Sequence, residues 1–264
     1  MDQNELVDKI VKEVLARLKA HNDASPAGKP ETAPSRPEFS LSPAEMARFI
    51  DHTLLKPDAV FEQFDQLCDE AKKYQFYSVC VNSSKVAYVA KKLRGSNVKV
   101  CSVIGFPLGD MEKRAKAFEA RTAIDHGAHE LDMVLNIGAL KSGNLKVVED
   151  DIRAVKRAMR STTILKVIFE TSMLTEEEKI LACEICKKAE VHFVKTSTGF
   201  GGGGATVADI QLMRSIVGPD MGVKASGGVR DFATAMAMIK AGANRIGSAS
   251  GVAIVTGTQA QGTY

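Results

Sequence analysis

The feature that most limits the fold of this chain is a regular alternation of short apolar strands and amphipathic helices. Runs rich in Val and Ile predict eight strands, at 49–55, 76–81, 98–106, 129–135, 163–170, 192–195, 222–226 and 244–248. Helical patterns separate them, at 61–74, 83–93, 111–125, 145–159, 175–189, 206–217 and 231–241. Eight such units in about 200 residues favour a parallel sheet that closes into a (β/α)8 TIM barrel. We therefore predict an α/β barrel over residues 41–255.

An open, doubly wound sheet is the alternative fold for this alternation. No G-x-G-x-x-G motif follows the first predicted strand, although such sheets commonly carry one there. Polar residues instead follow nearly every strand, as expected when eight loops share one catalytic face. The barrel is therefore the favoured prediction.

The two ends of the chain differ from the barrel in composition. Residues 1–20 alternate apolar and charged positions at helical spacing, which predicts an amphipathic helix over 1–21. Residues 22–40 hold Pro26, Pro30, Pro34 and Pro37 and are predicted to be a linker. Residues 256–264 are polar and are predicted to be a flexible tail.

The charge and hydropathy of the chain argue against two classes of binding partner, nucleic acids and membranes. Its 35 basic and 32 acidic residues leave a formal charge of only +3, which indicates neither a nucleic-acid nor a membrane surface. No apolar run approaches the roughly 20 residues that span a bilayer, and the N-terminus lacks the apolar centre of a secretory signal. We expect a cytoplasmic homo-oligomer.

The cysteines and histidines give no pattern typical of a metal site. Five cysteines, an odd number, favour free thiols in a reducing compartment. Cys183 and Cys186 form a C-x-x-C inside a helical pattern, so they are predicted to be packing residues. The five histidines are scattered along the chain, and we expect no metal or other cofactor.

Polar residues at the strand ends supply the candidate chemistry. In a barrel these ends meet at one mouth, so the residues form one set: Asp51, Thr53, Lys56, Cys80, Asn82, Gly105, Asp132, Asn136, Lys166, Glu170, Lys195, Lys224, Ser226, Gly247 and Ser248. A lysine amine becomes a nucleophile when a nearby ammonium and partial burial favour loss of its proton. Lys195 and Lys224 on neighbouring strands fit this arrangement, and Asp132 is placed to pair with an amine or relay protons. An ordinary ion-pair network is the alternative.

Three glycine-rich turns follow the last three strands, at 199–204, 227–228 and 247–248. Glycines let backbone N–H groups approach an anion closely, and barrels often hold phosphate after their last strands. The turns therefore predict a phosphate site, with Asp51 and Thr53 as further candidates for binding the substrate.

Six segments together resemble the 2-deoxyribose-5-phosphate aldolase family: FIDHTLLKPDA (49–59), SVCVN (78–82), VCSVIGFPLG (100–109), ELDMVLNIGAL (130–140), FVKTSTGF (193–200) and VKASGGVR (223–230). The resemblance covers the whole predicted barrel. It implies a metal-free Schiff-base aldolase that interconverts 2-deoxy-D-ribose 5-phosphate with acetaldehyde and D-glyceraldehyde 3-phosphate.

The resemblance also implies roles for individual residues. Lys195 matches the Schiff-base lysine, Lys224 the lysine that promotes loss of its proton, and Asp132 the proton-relay acid. Phosphate-binding backbone and active-site neighbours map to Gly199, Gly227, Gly228, Gly247, Ser248 and Cys80. Some members carry a lysine where this chain has Phe200, and some place a terminal tyrosine, here Tyr264, over the mouth. Lys166 is a further candidate.

Two other functions remain open from the sequence: a phosphosugar isomerase, which needs no nucleophilic lysine, and a non-catalytic barrel that binds a phosphosugar. Residues 1–20 on their Pro-rich tether resemble the encapsulation peptides that carry enzymes to the shell proteins of bacterial microcompartments. A membrane-surface helix and an extra helix packed on the barrel are the alternatives for this segment.

Overall fold

The computed structural model describes residues 40–258. The predicted helix at 1–21, nearly all of the predicted linker, and Tyr264 lie outside the described residues. No helix within 40–258 has the length and apolar character needed to cross a bilayer.

Eight parallel strands form a closed barrel in which each strand pairs with the next and β8 pairs with β1. The strands are β1 (Ile50–Leu54), β2 (Ser78–Val81), β3 (Lys99–Ile104), β4 (Glu130–Val134), β5 (Ile164–Ile168), β6 (Phe193–Lys195), β7 (Gly222–Ser226) and β8 (Arg245–Ser248). All eight predicted strands are present, most of them shorter than predicted by a few residues. The prediction of a (β/α)8 barrel is confirmed.

The helices surround the barrel. They are α1 (Pro43–Ala47), α2 (Phe61–Tyr74), α3 (Val86–Lys92), α4 (Lys113–Asp125), α5 (Ile137–Lys141), α6 (Leu145–Ala158), α7 (Glu176–Lys188), α8 (Val207–Val217), α9 (Phe232–Lys240) and α10 (Gly251–Thr256). Helix α5 was not predicted, and a 3-10 turn at Ser83–Lys85 replaces the predicted start of α3. Helices α1 and α10 pack against each other beside the β1–β8 seam.

Local capping explains where several helices begin. Ser42 and Glu45 form a capping box before α1, and Pro43 is the first residue of this helix. Thr206 and Asp231 accept hydrogen bonds from backbone N–H groups at the starts of α8 and α9. These two helices follow the loops that form the candidate site, so their caps fix the direction in which each loop leaves the barrel.

The apolar core lies between the strands and the helices. Outward-facing strand residues such as Val79, Leu131 and Ile246 are buried there against the helix faces. Cys183 and Cys186 are buried in the same core, which confirms their prediction as packing residues. All five cysteines are buried free thiols.

The interior of the barrel is charged rather than apolar. Seven ionisable side chains are almost completely buried there: Asp51, Glu130, Asp132, Lys166, Lys195, Lys224 and Arg245. The sequence analysis placed five of them at strand ends, but Asp51 is the second residue of β1, and Asp132, Lys166 and Lys224 are the third residues of β4, β5 and β7. The reason is the two-residue period of a strand, which directs side chains into the barrel along its whole length.

Candidate active site

Asp132 is the centre of the buried charges. Its Oδ2 accepts hydrogen bonds from Lys195 Nζ and Lys224 Nζ, each at 2.8 Å. Its Oδ1 accepts one from Lys166 Nζ at 2.9 Å and one from Cys101 Sγ at 3.1 Å. One carboxylate from β4 therefore joins lysines from β5, β6 and β7. The predicted trio of Lys195, Lys224 and Asp132 is brought together.

Further ion pairs continue towards the amino-terminal end of the barrel. Arg245 on β8 donates to Asp51 Oδ1 at 2.6 Å and to both oxygens of Glu130, at 2.7 and 2.8 Å. Glu130 Oε2 lies 2.6 Å from Lys166 Nζ, and Asp51 Oδ2 lies 2.5 Å from Lys224 Nζ. The contacts close a loop of alternating charge, here called the charged ring: Arg245, Asp51, Lys224, Asp132, Lys166 and Glu130. Lys195 is attached to it at Asp132.

The protonation states follow from this arrangement. Burial by itself would raise the pKa of Asp132, but the ammonium groups of Lys166, Lys195 and Lys224 hold it well below its ordinary value. Burial would lower the pKa of Lys224, but Asp132 and Asp51 raise it above its ordinary value. The same balance, with Asp132 and Glu130 as partners, raises the pKa of Lys166. At neutral pH Asp132 is therefore a carboxylate, and Lys166 and Lys224 are charged.

A polar pocket opens at the carboxyl ends of the strands. Its lining includes Lys195 and residues of the β1, β6, β7 and β8 loops: Thr53, Leu55, Thr198, Gly199, Ser226, Gly227, Gly228, Val229, Gly247, Ser248 and Ala249. Lys224 and Lys166 are fully buried beneath it and do not line it. Of the three amines around Asp132, Lys195 is the one that faces the pocket.

The glycines of this pocket bring backbone close to the ligand space. Gly199, Gly227 and Gly228 have φ of 88°, 82° and 78°, a left-handed region that other residues rarely adopt. A Cβ on Gly204 would lie 2.5 Å from the carbonyl oxygen of Gly227, so the β6 and β7 loops touch through backbone. Within residues 40–258, the N–H groups of Gly227 and Gly228 donate no backbone hydrogen bond. They are available to an anion.

Ser248 joins the β7 and β8 loops. Its hydroxyl donates to the carbonyl of Val229 at 2.6 Å and accepts from the N–H of Ser250 at 3.0 Å. Because the Ser248 hydroxyl already donates its proton to Val229, we interpret this side chain as stabilising the pocket wall. Gly247 lies opposite Ser226, and a Cβ there would collide with the Ser226 hydroxyl.

Besides Asp132 and Lys224, three predicted site residues do not line the pocket. Asp51 is fully buried below it and bonded to Ser78, Arg245 and Lys224, so the placement of Asp51 at the strand end and in the binding site is corrected. Lys166 is likewise a buried member of the charged ring. Cys80 is buried beside Cys101, whose hydrogen bond lowers its pKa. The cause is common to all three, since their side chains point into the barrel below the mouth.

The sequence analysis missed Arg245, Glu130 and Cys101. Each of these side chains faces the barrel interior from a strand that the sequence analysis had predicted. Glu130 lies two positions before Asp132. A charged residue at an inward position of a Val- and Ile-rich strand was the available signal. Glu170, which the sequence analysis named only as one of the strand-end residues, lies in the left-handed region at φ 56° and is buried. It accepts hydrogen bonds from the hydroxyl and N–H of Thr198 and so holds the loop after Lys195.

One group of side chains within the described residues has the spacing of metal ligands. The donor atoms of Cys80, Cys101 and Asp132 lie within 4.8 Å of one another. Both carboxylate oxygens of Asp132 already accept hydrogen bonds from lysine ammonium groups. A metal cation would face three positive charges there, so the donor set does not fit one.

The fold and the site together define the class of protein: a (β/α)8-barrel enzyme with a lysine amine at the base of a glycine-lined pocket. The sequence model of the DeoC/LacD family aldolases matches residues 46–257. The chain therefore belongs to this family, and it is an aldolase.

Relatives of the chain agree with this assignment. The deoxyribose-phosphate aldolase of Streptococcus gordonii is 58% identical over 220 residues, which are 83% of this chain and 100% of that protein. That of Brevibacillus brevis is 60% identical over 218 residues, 83% of this chain and 98% of the relative. A solved structure, the tetrameric deoxyribose phosphate aldolase of Aeropyrum pernix, superposes with a TM-score of 0.76 at 34% identity and covers 81% of this chain and 91% of its own.

The charge of Asp132 is expected to stabilise the fold in a pH-dependent way. Asp132→Asn leaves three buried ammonium groups with one carboxylate fewer, so the free energy of unfolding at pH 7 should fall by about 3–5 kcal/mol. Because the folded pKa of Asp132 is held low, this deficit should be constant from about pH 5 to 8 and shrink only below about pH 4.

Urea unfolding at a series of pH values measures this deficit. The exposed Asp69, whose side chain is 73% accessible, supplies a control variant, Asp69→Asn, that should change little. A deficit that grows as the pH falls below 4 would contradict the assignment of Asp132 as a low-pKa carboxylate.

Proposed function

We propose that this aldolase reversibly cleaves 2-deoxy-D-ribose 5-phosphate to acetaldehyde and D-glyceraldehyde 3-phosphate through an imine on Lys195. The observation that carries the proposal is the position of Lys195, which alone among the three amines bound to Asp132 lines the pocket. The deoxyribose-phosphate aldolase names of relatives at 58% and 60% identity support the choice of substrate.

The residues suggest a sequence of steps. The neutral amine of Lys195 attacks the C1 aldehyde of the open-chain sugar, and protonation of the carbinolamine hydroxyl followed by loss of water gives a protonated imine. Removal of the C3 hydroxyl proton breaks the C2–C3 bond, which releases D-glyceraldehyde 3-phosphate and leaves the two-carbon enamine on Lys195. Protonation at C2 and hydrolysis of the imine release acetaldehyde and restore the amine.

Asp132 and Lys224 are placed to handle the protons of these steps. Both Lys195 Nζ and Lys224 Nζ bind the same Asp132 oxygen, so a proton has a short path from one amine to the other through the carboxylate. Lys224 remains charged beside Asp132 and is shielded from the pocket by burial. Because both amines bind the same Asp132 oxygen, the positive charge of Lys224 lies close to the amine of Lys195.

Borohydride reduction in the presence of acetaldehyde tests the imine. Peptide mass spectrometry should find one added ethyl group, on Lys195. Lys195→Arg keeps a positive charge beside Asp132 but has no amine nucleophile, so this variant should give no adduct and lose cleavage activity. Addition at Lys224 or Lys166 would contradict the assignment, and turnover without any adduct would favour a phosphosugar isomerase.

We also propose that the 5-phosphate binds at the glycine loops of the pocket. The N–H groups of Gly227 and Gly228 lack backbone partners, and Gly199, Gly247 and Ser248 complete the same wall. Such a cluster of backbone donors suits a phosphate oxygen without a lysine or arginine side chain.

At position 200, Phe200 packs edge-on against Phe106 at 5.3 Å between ring centroids. Thr53 also lines this pocket, and we propose that it contacts the sugar.

Gly228→Ala is expected to weaken phosphate binding. Gly228 has φ of 78° and open space around its Cα, so a methyl group would project into the pocket and shift the backbone donor. The KM for 2-deoxyribose 5-phosphate should rise about tenfold or more, while kcat/KM for unphosphorylated 2-deoxyribose stays near the parent value.

The matched control for this experiment is Gly202→Ala. Gly202 has φ of 80° and equally open space but does not line the pocket, so this variant carries the same backbone strain without the effect on KM. An equal loss of kcat/KM on both sugars in Gly228→Ala would show that the phosphate binds elsewhere.

We propose further that the enzyme works in the cytoplasm, where residues 1–20 direct it to the shell of a bacterial microcompartment. The family match begins at residue 46, and the full length of the Streptococcus gordonii relative aligns with 83% of this chain. Residues 1–20 are thus additional to the shared barrel. Their amphipathic pattern and Pro-rich tether suit docking on shell proteins. Confinement would also retain acetaldehyde, a volatile and reactive product.

A fluorescent protein fused to residues 1–40 tests the targeting proposal in cells that make shells. The fusion should form puncta that co-purify with shell proteins, and Val11→Glu with Leu15→Glu should leave it diffuse because both changes place charges on the apolar stripe. A diffuse parent fusion, or a large loss of barrel stability on deletion of residues 1–40, would overturn the proposal.

Self-association of the barrel is a further part of the proposal. Leu108 and Phe118 are 75% and 74% exposed, which is unusual for large apolar side chains on a surface that faces water. Both belong to the segment between β3 and the end of α4. The tetrameric relative supports an oligomer, which would cover such side chains.

A further inference from the structure

The charged ring is electrically balanced without Lys195. Its three carboxylates, Asp51, Glu130 and Asp132, alternate with the three cations Lys166, Lys224 and Arg245. A protonated Lys195 therefore adds one uncompensated positive charge to a buried cluster. Loss of that proton leaves each carboxylate of the ring paired with the ring's own cations.

Arg245 and Glu130 form the part of the ring farthest from the pocket. Each is the first residue of its strand and lines the amino-terminal end of the barrel interior. The guanidinium carbon of Arg245 lies 3.4 Å from the ring centroid of Tyr77, which covers it from below. Neither residue lines the pocket.

The ring connects this end of the barrel to Lys195 by two routes. One runs from Arg245 through Asp51 and Lys224 to Asp132. The other runs from Glu130 through Lys166 to the same carboxylate. Among the described residues, the other titratable or charged groups near the ring are the thiols of Cys80 and Cys101, the phenol of Tyr77 and, beside Glu130, His129, His192, Lys99 and Arg160.

We propose that Arg245 and Glu130 are positioning residues that set, through the net charge of the ring, the pH range in which Lys195 forms its imine. The inference rests on the proposed function. In the parent enzyme the charged ring is neutral, so it supplies no surplus negative charge that would stabilise the protonated form of Lys195. Removing the charge of Arg245 makes the ring negative, which retains the proton. Removing the charge of Glu130 makes the ring positive, which repels it.

The burial of these groups makes the charges effective at a distance. Coulomb interactions are screened much less inside the protein than at its surface, so a charge two or three ring positions from Asp132 still acts on Lys195. Arg245 keeps its charge, since its pKa is raised by Asp51 and Glu130 against the effect of burial. The ring therefore behaves as one electrostatic unit, although its members lie on β1, β4, β5, β7 and β8.

The test is the pH dependence of the borohydride-trapped acetaldehyde adduct on Lys195. The midpoint should rise by about one pH unit in Arg245→Met and fall by about one in Glu130→Gln. The double variant, which restores a neutral ring, should return close to the parent midpoint. Arg245→Lys keeps the charge and should also stay close to it.

Opposite shifts that cancel in the double variant are the expected result, since loss of packing would lower the amount of adduct without moving the midpoint in two directions. Unchanged midpoints in both single variants would overturn the inference. If Arg245→Met does not fold, Glu130→Gln decides alone, because this near-isosteric variant must still shift the midpoint downward. Absence of any adduct in the parent enzyme would instead overturn the proposed function.

Discussion

The structure depends on one carboxylate that is shared by three ammonium groups. Asp132 sits inside the barrel with Lys166, Lys195 and Lys224 around it. Taking these charges out of water costs far more free energy than filling the same space with Val and Ile, the usual content of such barrels. The cost is offset only if each charge keeps its partners, so the strands must hold a fixed register. Lys195 and Lys224 are register partners on β6 and β7, which places both amines beside Asp132.

The barrel separates the proposed chemistry into two levels. At the mouth, backbone donors and one partly accessible amine face the pocket. Below it, charged side chains have no access to the pocket and act on the reaction through electrostatics. This division explains why three lysines of the same chemical type carry different roles: position relative to the pocket, more than residue type, decides which amine meets an aldehyde.

The sequence predicted the architecture well because the relevant information is local. Periodicity located every strand. It predicted Lys195, Lys224 and Asp132 as one group because the ends of parallel strands converge. It did not predict Arg245 or Glu130 as site residues, because the ion pair that joins them links positions more than 100 residues apart in the sequence. It also placed Asp51 at the mouth, because a strand pattern alone does not give the depth of an inward side chain.

The closure of the barrel has a consequence for its connectivity. Strand β8 pairs with β1 as β1 pairs with β2, and α1 packs on α10 across that seam. Within residues 40–258 the chain is thus arranged as a circle in which the first and last described elements are ordinary neighbours. Circular permutation, with a short bridge across this seam and new termini in a surface loop, preserves every strand pair and every contact of the charged ring. The order of the eight units along the polypeptide is therefore separable from their order around the barrel, and only the second is required by the site.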